Sequence, residues 1–167
     1  MSRSDLGQGA IPPALGFSVP LEPSHLSRAR ERLRAYLQMH CADAELVADV
    51  VLCLEEACTN VIRHSGASEA MQVALRFTDD ALVCKVRDYG RGFDIDEFDP
   101  EAVPDPLAGD GRGLFIINQI MDELSLRFDG GLEVHMVKRA VPRCVAQGPK
   151  TGSDEGCDQS PSGARQT

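Results

Sequence analysis

Two pairs of stretches with strictly alternating apolar residues constrain the fold of this chain more than any other feature. The first pair lies at residues 71–77 and 82–86, and the second pair at residues 124–128 and 132–136. Alternation with a period of two indicates strands with one buried face, and the short polar turns inside each pair indicate hairpins. The sequence therefore predicts a largely antiparallel sheet.

Helical patterns precede the first hairpin and separate the two hairpins. Apolar residues at spacings of three and four predict a helix starting near Pro23, a second over about 43–64 and a third over about 112–121. Residues 15–20 predict a short first strand. Because adjacent hairpins need helices to cover one face of their sheet, we expect a two-layer α/β (α+β) sandwich.

The termini differ from the middle of the chain. A length of 167 residues corresponds to about one domain, which we assign to residues 14–141. Residues 1–13 are small and polar, and we expect a flexible N-terminus. Residues 142–167 are rich in Gly, Ser and Pro, so we expect a disordered tail that buries too little surface to offset its chain entropy.

Charge and cysteine usage exclude several classes of protein. The chain has 17 Lys and Arg against 26 Asp and Glu, a net charge of -9, which disfavours non-specific nucleic-acid binding. No apolar run approaches the roughly 18 residues of a membrane span. The N-terminus lacks the apolar stretch of a signal peptide, and none of the six cysteines forms a CxxC pair. We therefore expect a reduced, cytoplasmic protein.

The second predicted helix carries a carboxylate and an amide one turn apart. Glu56 and Asn60 are four residues apart, so both side chains lie on one side of the helix. At about 100° per residue this side is roughly opposite the apolar stripe, with Cys53 close to it. A solvated polar face is the simplest interpretation of the pair alone. The pair also suits phosphate chemistry, because an amide oxygen can ligate Mg²⁺ and a carboxylate can orient or deprotonate a nucleophile.

Two glycine-rich segments lie at the ends of a long loop rich in Gly, Pro and acidic residues. Residues 88–92 (DYGRG) end the first hairpin, where glycine permits a sharp turn or close approach to a ligand. Residues 109–113 (GDGRG) open the third helix, where free N–H groups and the helix dipole favour an anion. Neither the P-loop nor the dinucleotide fingerprint matches this second segment. Each segment alone is also compatible with a loop that needs positive φ.

Together and in this order, the three segments resemble the N box and the two glycine boxes of the GHKL ATPase and kinase superfamily. Within it the chain resembles the small anti-sigma-factor serine kinases of bacteria over about residues 15–140. EEACTNVIRHSG is similar to the E-A-x-T-N-x-x-x-H pattern of that group, and DYGRGFD and GRGLFIINQIMDEL fit its glycine boxes. The resemblance implies a Bergerat-type ATP-binding fold, with a mostly antiparallel sheet and helices on one face.

The resemblance also implies roles for individual residues. Glu56 would act as the general base on a serine of a protein substrate, and Asn60 would ligate the Mg²⁺ that bridges the ATP phosphates. Asp88 would accept a hydrogen bond from the adenine amino group, and residues 93–110 would form the ATP lid. The further ATP-binding residues expected are Gly90 and Gly92 at the adenine pocket, and Gly111, Arg112, Gly113 and Leu114 near the phosphates.

Four arginines form two i,i+4 pairs on the first predicted helix, and we expect them on its exposed sides: Arg28, Arg30, Arg32 and Arg34. In an acidic protein this is a local basic surface, which suits an acidic partner and faster association. A solvated helix face explains the same residues equally well. The family that the chain resembles uses this helix in its partner-binding region.

The function implied by the resemblance is that of an anti-sigma factor and ATP-dependent protein-serine kinase in the bacterial cytoplasm. It would be a homodimer that sequesters a sigma factor and phosphorylates a serine of a STAS-type anti-anti-sigma protein, with ATP and Mg²⁺ as cofactors. The alternative is a nucleotide-gated partner-binding module with little or no kinase activity. A histidine-kinase catalytic domain is disfavoured, because no second hairpin helix accompanies the histidines His25 and His40.

Overall fold

The computed structural model describes residues 11–41, 43–66, 70–91 and 112–142, and within these ranges five antiparallel strands form a sheet that is one layer of the protein. The strands are β1 (Leu15–Val19), β2 (Met71–Phe77), β3 (Ala81–Arg87), β4 (Glu123–Phe128) and β5 (Leu132–Arg139). Their order across the sheet is β1-β2-β3-β5-β4. Both predicted hairpins are present, as the pairs β2–β3 and β4–β5.

The described part of the chain contains three α-helices, which form the second layer and lie close to the predicted positions. The carboxylate of Asp43 accepts hydrogen bonds from the backbone N–H groups of Glu45 and Leu46, which caps and starts the second helix. A short 3₁₀ turn at Pro23–His25 leads into the first helix. The helices are α1 (Leu26–His40), α2 (Ala44–His64) and α3 (Arg112–Ile120).

The hydrophobic core lies between the helices and one face of the sheet. Alternate residues of β2, β3 and β5 point into it, and the α2 stripe predicted from Val47 to Val61 is buried. The predicted two-layer sandwich with helices on one face is therefore confirmed. The strand predicted from Leu124, Leu126 and Phe128 is present as β4, although Phe128 is 51% exposed at the end of this edge strand.

The sheet order brings together residues that are far apart in sequence. β5 lies between β3 and β4, although α3 and β4 separate it from β3 along the chain. Val86 of β3 pairs with Val134 of β5, and Arg87 pairs with Glu133. The end of β3 is therefore next to the start of β5, and this places the turn before Leu132 against the residue that follows β3.

Candidate functional site

The side of α2 that carries Glu56 and Asn60 is covered by α3, so it is not a solvated face. Both side chains are half-buried, and Cys53 on the same side is fully buried. This side lies away from the apolar stripe, as expected, but the simplest interpretation of a solvated face was wrong: α2 packs on the sheet along one side and contacts α3 along another. A polar pair held between two helices needs a specific reason, since desolvating polar groups costs free energy unless they find partners.

Gly113, in the first turn of α3, lies directly against this polar pair. A Cβ at position 113 would lie 2.9 Å from Oε2 of Glu56 and 2.9 Å from Nδ2 of Asn60. Only a residue without a side chain leaves both polar groups in place. The contact joins the start of α3, where helical N–H groups lack intrahelical partners, to a carboxylate and an amide. The predicted association of Glu56, Asn60 and Gly113 is thus present in the structure.

Asp88 lies immediately after β3 and is the second functional element of the site. Its side chain is 1% exposed, and its Oδ1 accepts hydrogen bonds from the N–H groups of Gly90 and Leu132, both at 3.0 Å. Within the described ranges no donor reaches Oδ2. A buried carboxylate with one oxygen held by the backbone and the other available suits an N–H donor on a ligand.

Ser65 is a residue of this site that the sequence analysis missed. It follows α2 directly, is 2% exposed, and its carbonyl oxygen accepts a hydrogen bond of 3.2 Å from the N–H of Arg91. A Cβ at Gly90 would overlap that same carbonyl oxygen. The first glycine-rich segment therefore needs Gly90 in order to pack on the end of α2. The only sequence signal was the position of Ser65 at the end of a helix.

Gly131 was also missed, because the sequence indicated only a hairpin turn at that position. Its φ of 151° is one that side chains rarely adopt, and a Cβ there would overlap the carbonyl oxygen of Asp88. The N–H of Asp88 donates to the carbonyl of Leu132 at 2.9 Å. The turn between β4 and β5 thus holds both the backbone and the carboxylate of Asp88, through backbone groups of Gly131 and Leu132.

The other predicted phosphate and adenine residues are only partly described. Arg112 is the exposed first residue of α3, and the partly buried Leu114 packs against the hydrophobic core. Gly92 and Gly111, together with the predicted lid at residues 93–110, lie outside the described residues.

The four arginines of α1 do not share one environment. Arg28, Arg32 and Arg34 are exposed as predicted, and the Arg32 guanidinium lies 4.5 Å from the centre of the Phe17 ring. Arg28 and Arg32 line a groove of about 300 Å³ beside β1. The expectation was wrong for Arg30, which is half-buried and forms an ion pair with Glu55 of α2. Its charge is therefore compensated within the chain.

The four cysteines in the described part of the chain are buried and form no disulfides: Cys41, Cys53, Cys58 and Cys84. Burial, reinforced by the negative charge of Asp49, raises the pKa of the Cys53 thiol to about 12. Burial likewise raises the pKa of the Cys58 thiol to about 12. Thiols that stay protonated are poor nucleophiles and metal ligands, so these side chains act as small apolar packing groups.

The described residues do not form a complete metal site by themselves. Among them, no three His, Cys, Asp or Glu side chains come together in a way that would hold a metal ion. Asn60 offers one amide oxygen beside the Glu56 carboxylate, and hard oxygen ligands of this kind suit Mg²⁺. A magnesium ion at this position would need further oxygens, for which phosphate groups are suitable.

Comparison with known proteins agrees with this geometry. Residues 19–138 match the family described as "Histidine kinase-like ATPase domain". The serine-protein kinase RsbW of Bacillus licheniformis is 30% identical over 129 residues, covering 71% of this chain and 81% of that protein. RsbW of Listeria innocua serovar 6a is 27% identical over 145 residues, covering 81% of this chain and 92% of that protein.

Two solved structures share the fold. The RsbU and RsbW domains of Rv1364c from Mycobacterium tuberculosis match with a TM-score of 0.59 at 19% identity, covering 77% of this chain and 32% of that one. The SiaB–SiaC complex from Pseudomonas aeruginosa matches with a TM-score of 0.56 at 22% identity, covering 74% of this chain and 88% of the matched one.

None of the helices in the described ranges is both long and apolar enough to cross a membrane. The matched range covers most of the chain. It includes α2, β2, β3 and both glycine-rich segments. The fold and the order of its motifs agree with the same assignment. The chain therefore belongs to the histidine kinase-like (GHKL) ATPase family and, within it, groups with the RsbW-type serine-protein kinases.

Proposed function

We propose that this protein is an anti-sigma factor and ATP-dependent protein-serine kinase of a partner-switching system. The observation that carries the proposal is the contact of Gly113 with both Glu56 and Asn60. It joins a carboxylate, an amide oxygen and the start of a glycine-rich helix in one place, as transfer of a phosphoryl group requires. The similarity to RsbW proteins supports the choice of a protein serine as acceptor.

Each residue of the site has a definite role in this proposal. Asp88 accepts a hydrogen bond from the adenine amino group through Oδ2, while its Oδ1 stays bonded to the backbone. Asn60 holds Mg²⁺ through its amide oxygen, and the N–H groups at the start of α3 face the phosphates. When Mg-ATP is bound, ATP supplies the phosphoryl group, and the magnesium ion offsets the negative charge of the phosphates.

Glu56 is proposed as the general base. Its carboxylate would receive the proton of the serine hydroxyl of the protein substrate as that oxygen attacks the γ-phosphorus of ATP; the bond from this phosphorus to the bridging oxygen breaks, and ADP leaves. The half-buried position of Glu56 fixes the carboxylate between two helices and still leaves part of it accessible to a partner. Catalysis then depends mainly on position, because phosphoryl transfer asks little covalent chemistry of the protein.

The proposed partners are a sigma factor and a STAS-type anti-anti-sigma protein, bound by a homodimer in the bacterial cytoplasm. Arg28, Arg32 and Arg34 form the basic part of the proposed partner surface on α1. Arg30 is left out of it, since its guanidinium is paired with Glu55. Exposed cations steer an acidic partner and raise the rate of association more than the final affinity.

The first test is a pull-down with the full-length protein from native lysate, in Mg-ATP and separately in Mg-ADP, followed by mapping of phosphorylated residues. We expect capture of a sigma factor in ATP, capture of a small antagonist in ADP, and phosphoserine on that antagonist in ATP. Nucleotide-dependent capture without phosphoserine would contradict kinase activity. That outcome would support the alternative, a nucleotide-gated binding module.

Glu56→Gln tests the catalytic assignment, with Glu55→Gln as the matched control on the neighbouring residue. Loss of a general base lowers the rate of transfer by about 10²–10⁴-fold. We expect Glu56→Gln to bind ATP as the wild type does and to lose transfer by this factor. Glu55→Gln removes the same charge from the Arg30 ion pair and should keep transfer within a few-fold. Equal effects of the two variants would contradict the role of Glu56.

A further inference from the structure

Lys138 occupies an unusual position in the sheet. It follows Leu132, Val134 and Met136 in the alternation of β5, so it lies on the face that packs against the helices. Its side chain is only 22% exposed. Lysine is almost never buried unless its ammonium group finds a partner, so this position indicates a specific contact.

The ammonium group of Lys138 binds the C-terminal end of α3. Its Nζ donates a hydrogen bond of 2.6 Å to the carbonyl oxygen of Ile120, the last residue of that helix. The last carbonyls of a helix lack intrahelical partners and carry partial negative charge, so a cation here satisfies both needs. Nζ also lies 3.7 Å from Oδ2 of Asp122, just beyond the helix.

Asp122 ties the same end of α3 to β5 through the backbone. Its N–H donates to the carbonyl of Val137 at 2.9 Å, and its Oδ2 accepts from the N–H of Arg139 at 2.6 Å. The end of α3 is therefore held by a cluster of contacts along one stretch of one strand. In the described structure, Lys138 is the side chain that links this stretch to the helix itself.

The opposite end of α3 is the one that reaches the functional site. The helix has nine residues and is thus about 13 Å long, and its centre is fixed by the fully buried Ile117. The bond from Lys138 to Ile120 is one of the contacts that hold the C-terminal end of this short helix. Its loss would loosen that end, and even a small tilt about Ile117 would move Gly113 relative to Glu56 and Asn60.

We propose that Lys138 is a positioning residue of the nucleotide site: by holding the C-terminal end of α3 against β5, it fixes the place where Gly113 meets Glu56 and Asn60. The inference rests on the proposed function only for the identity of the ligand, a nucleotide. The anchoring of α3 is inferred from the contacts of Lys138 and does not depend on which ligand binds. The tolerance at Gly113 is small, since not even a methyl group fits between the helices there without moving a side chain.

The test compares Lys138→Met with Lys138→Arg and with Lys85→Met in the full-length protein. Methionine keeps the unbranched chain of lysine but removes the donor and the charge, whereas arginine keeps both. Lys85 lies on the opposite face of the sheet, where it pairs with Glu133 and does not touch α3. The measurements are hydrogen exchange of the α3 amides, thermal stability, and the Kd of a fluorescent ATP analogue with Mg²⁺.

We expect Lys138→Met to speed exchange in α3 and to weaken nucleotide binding at least five-fold. Lys138→Arg should restore most of both properties, and Lys85→Met should change neither, even if it lowers thermal stability. A merely structural role for Lys138 would lower stability without this selective effect. Wild-type exchange in α3 and a wild-type Kd in Lys138→Met would overturn the inference.

Two further outcomes separate this inference from the proposed function. If the wild-type protein bound no ATP, the proposed function and the nucleotide part of the inference would both be wrong, and exchange in α3 would still decide the anchoring. If Lys138→Met failed to fold, Lys138→Gln would replace it, because glutamine suits a position that is 22% exposed but is shorter and uncharged, so it cannot reproduce the contact of Nζ with Ile120. Unchanged exchange and an unchanged Kd in Lys138→Gln would then contradict the anchoring.

Discussion

Gly131 lies against the backbone of Asp88 so closely that a Cβ at position 131 would overlap the Asp88 carbonyl oxygen. The next residue along the chain, Leu132, donates its N–H to Oδ1 of the same aspartate at 3.0 Å. One turn of the second hairpin thus sets both the backbone and the carboxylate of Asp88. The proposed adenine contact therefore depends on a glycine whose role is to let the backbone of the turn approach Asp88.

Gly131→Ala should destabilise the fold and weaken ATP binding together. The substitution adds backbone strain, worth about 1–3 kcal/mol, to an overlap with a backbone oxygen that cannot move aside cheaply. Gly130→Ala is the matched control, because Gly130 also has a positive φ of 63° but has open space around it. Urea unfolding should show a clearly larger loss for position 131. Equal losses of stability in the two variants would mean that position 131 needs glycine for its positive φ and not for the close approach to Asp88.

Gly113→Ala should separate stability from activity. Alanine is favoured over glycine in a helix by about 0.8–1 kcal/mol, so we expect the free energy of unfolding to stay the same or to rise. The new methyl group would push aside the ends of Glu56 and Asn60, which are flexible enough to move. Nucleotide binding and phosphoryl transfer should both fall at least ten-fold. Wild-type activity in a stable Gly113→Ala protein would contradict the proposed site.

The buried thiols should be unreactive in the native protein. We expect a variant with Cys144→Ser and Cys157→Ser to show almost no reaction with a thiol reagent at pH 8, and four reactive thiols in denaturant. The raised pKa values of Cys53 and Cys58 keep both thiols protonated at that pH. Rapid labelling of the folded variant would instead show that these cysteines are accessible.

The same raised pKa values should make the protein less stable in alkaline solution. Since the thiols of the unfolded chain ionise near pH 9.0, the free energy of unfolding should fall as the pH rises from about 9 towards 12.

His135 should make the protein sensitive to acid. Burial, reinforced by the positive charge of Lys85, lowers the pKa of His135 below its ordinary value of 6.5. The unfolded chain then binds more protons than the native protein in this range, so stability is lost as the pH falls through about 6.5. Urea unfolding at pH 7.5 and pH 5 should show a smaller loss for His135→Gln than for the wild type. An identical loss would assign the acid sensitivity to other groups.

Local pattern was enough to predict the elements of this fold. The alternation of β2, β3 and β5 and the apolar stripe of α2 each follow from neighbouring residues, and both are confirmed. The exposure of Phe128 could not be predicted, because the pattern gives a face of the strand but not the edge position of β4 in the sheet. The pairing of Arg30 with Glu55 likewise depends on how α1 and α2 pack.

The sequence by itself determined which residues are candidates for the proposed site, and the tertiary structure decided how they are held. Glu56 and Asn60 share a side of α2 through helical spacing alone, and the glycines mark the places where backbone and side chains come close. Only packing could show that Gly113 closes on that pair, that Ser65 receives Gly90, and that Asp88 rests on Gly131. Spacing along one element is fixed by the geometry of the backbone. Contact between elements depends on sheet order and helix packing, which no short stretch of sequence contains.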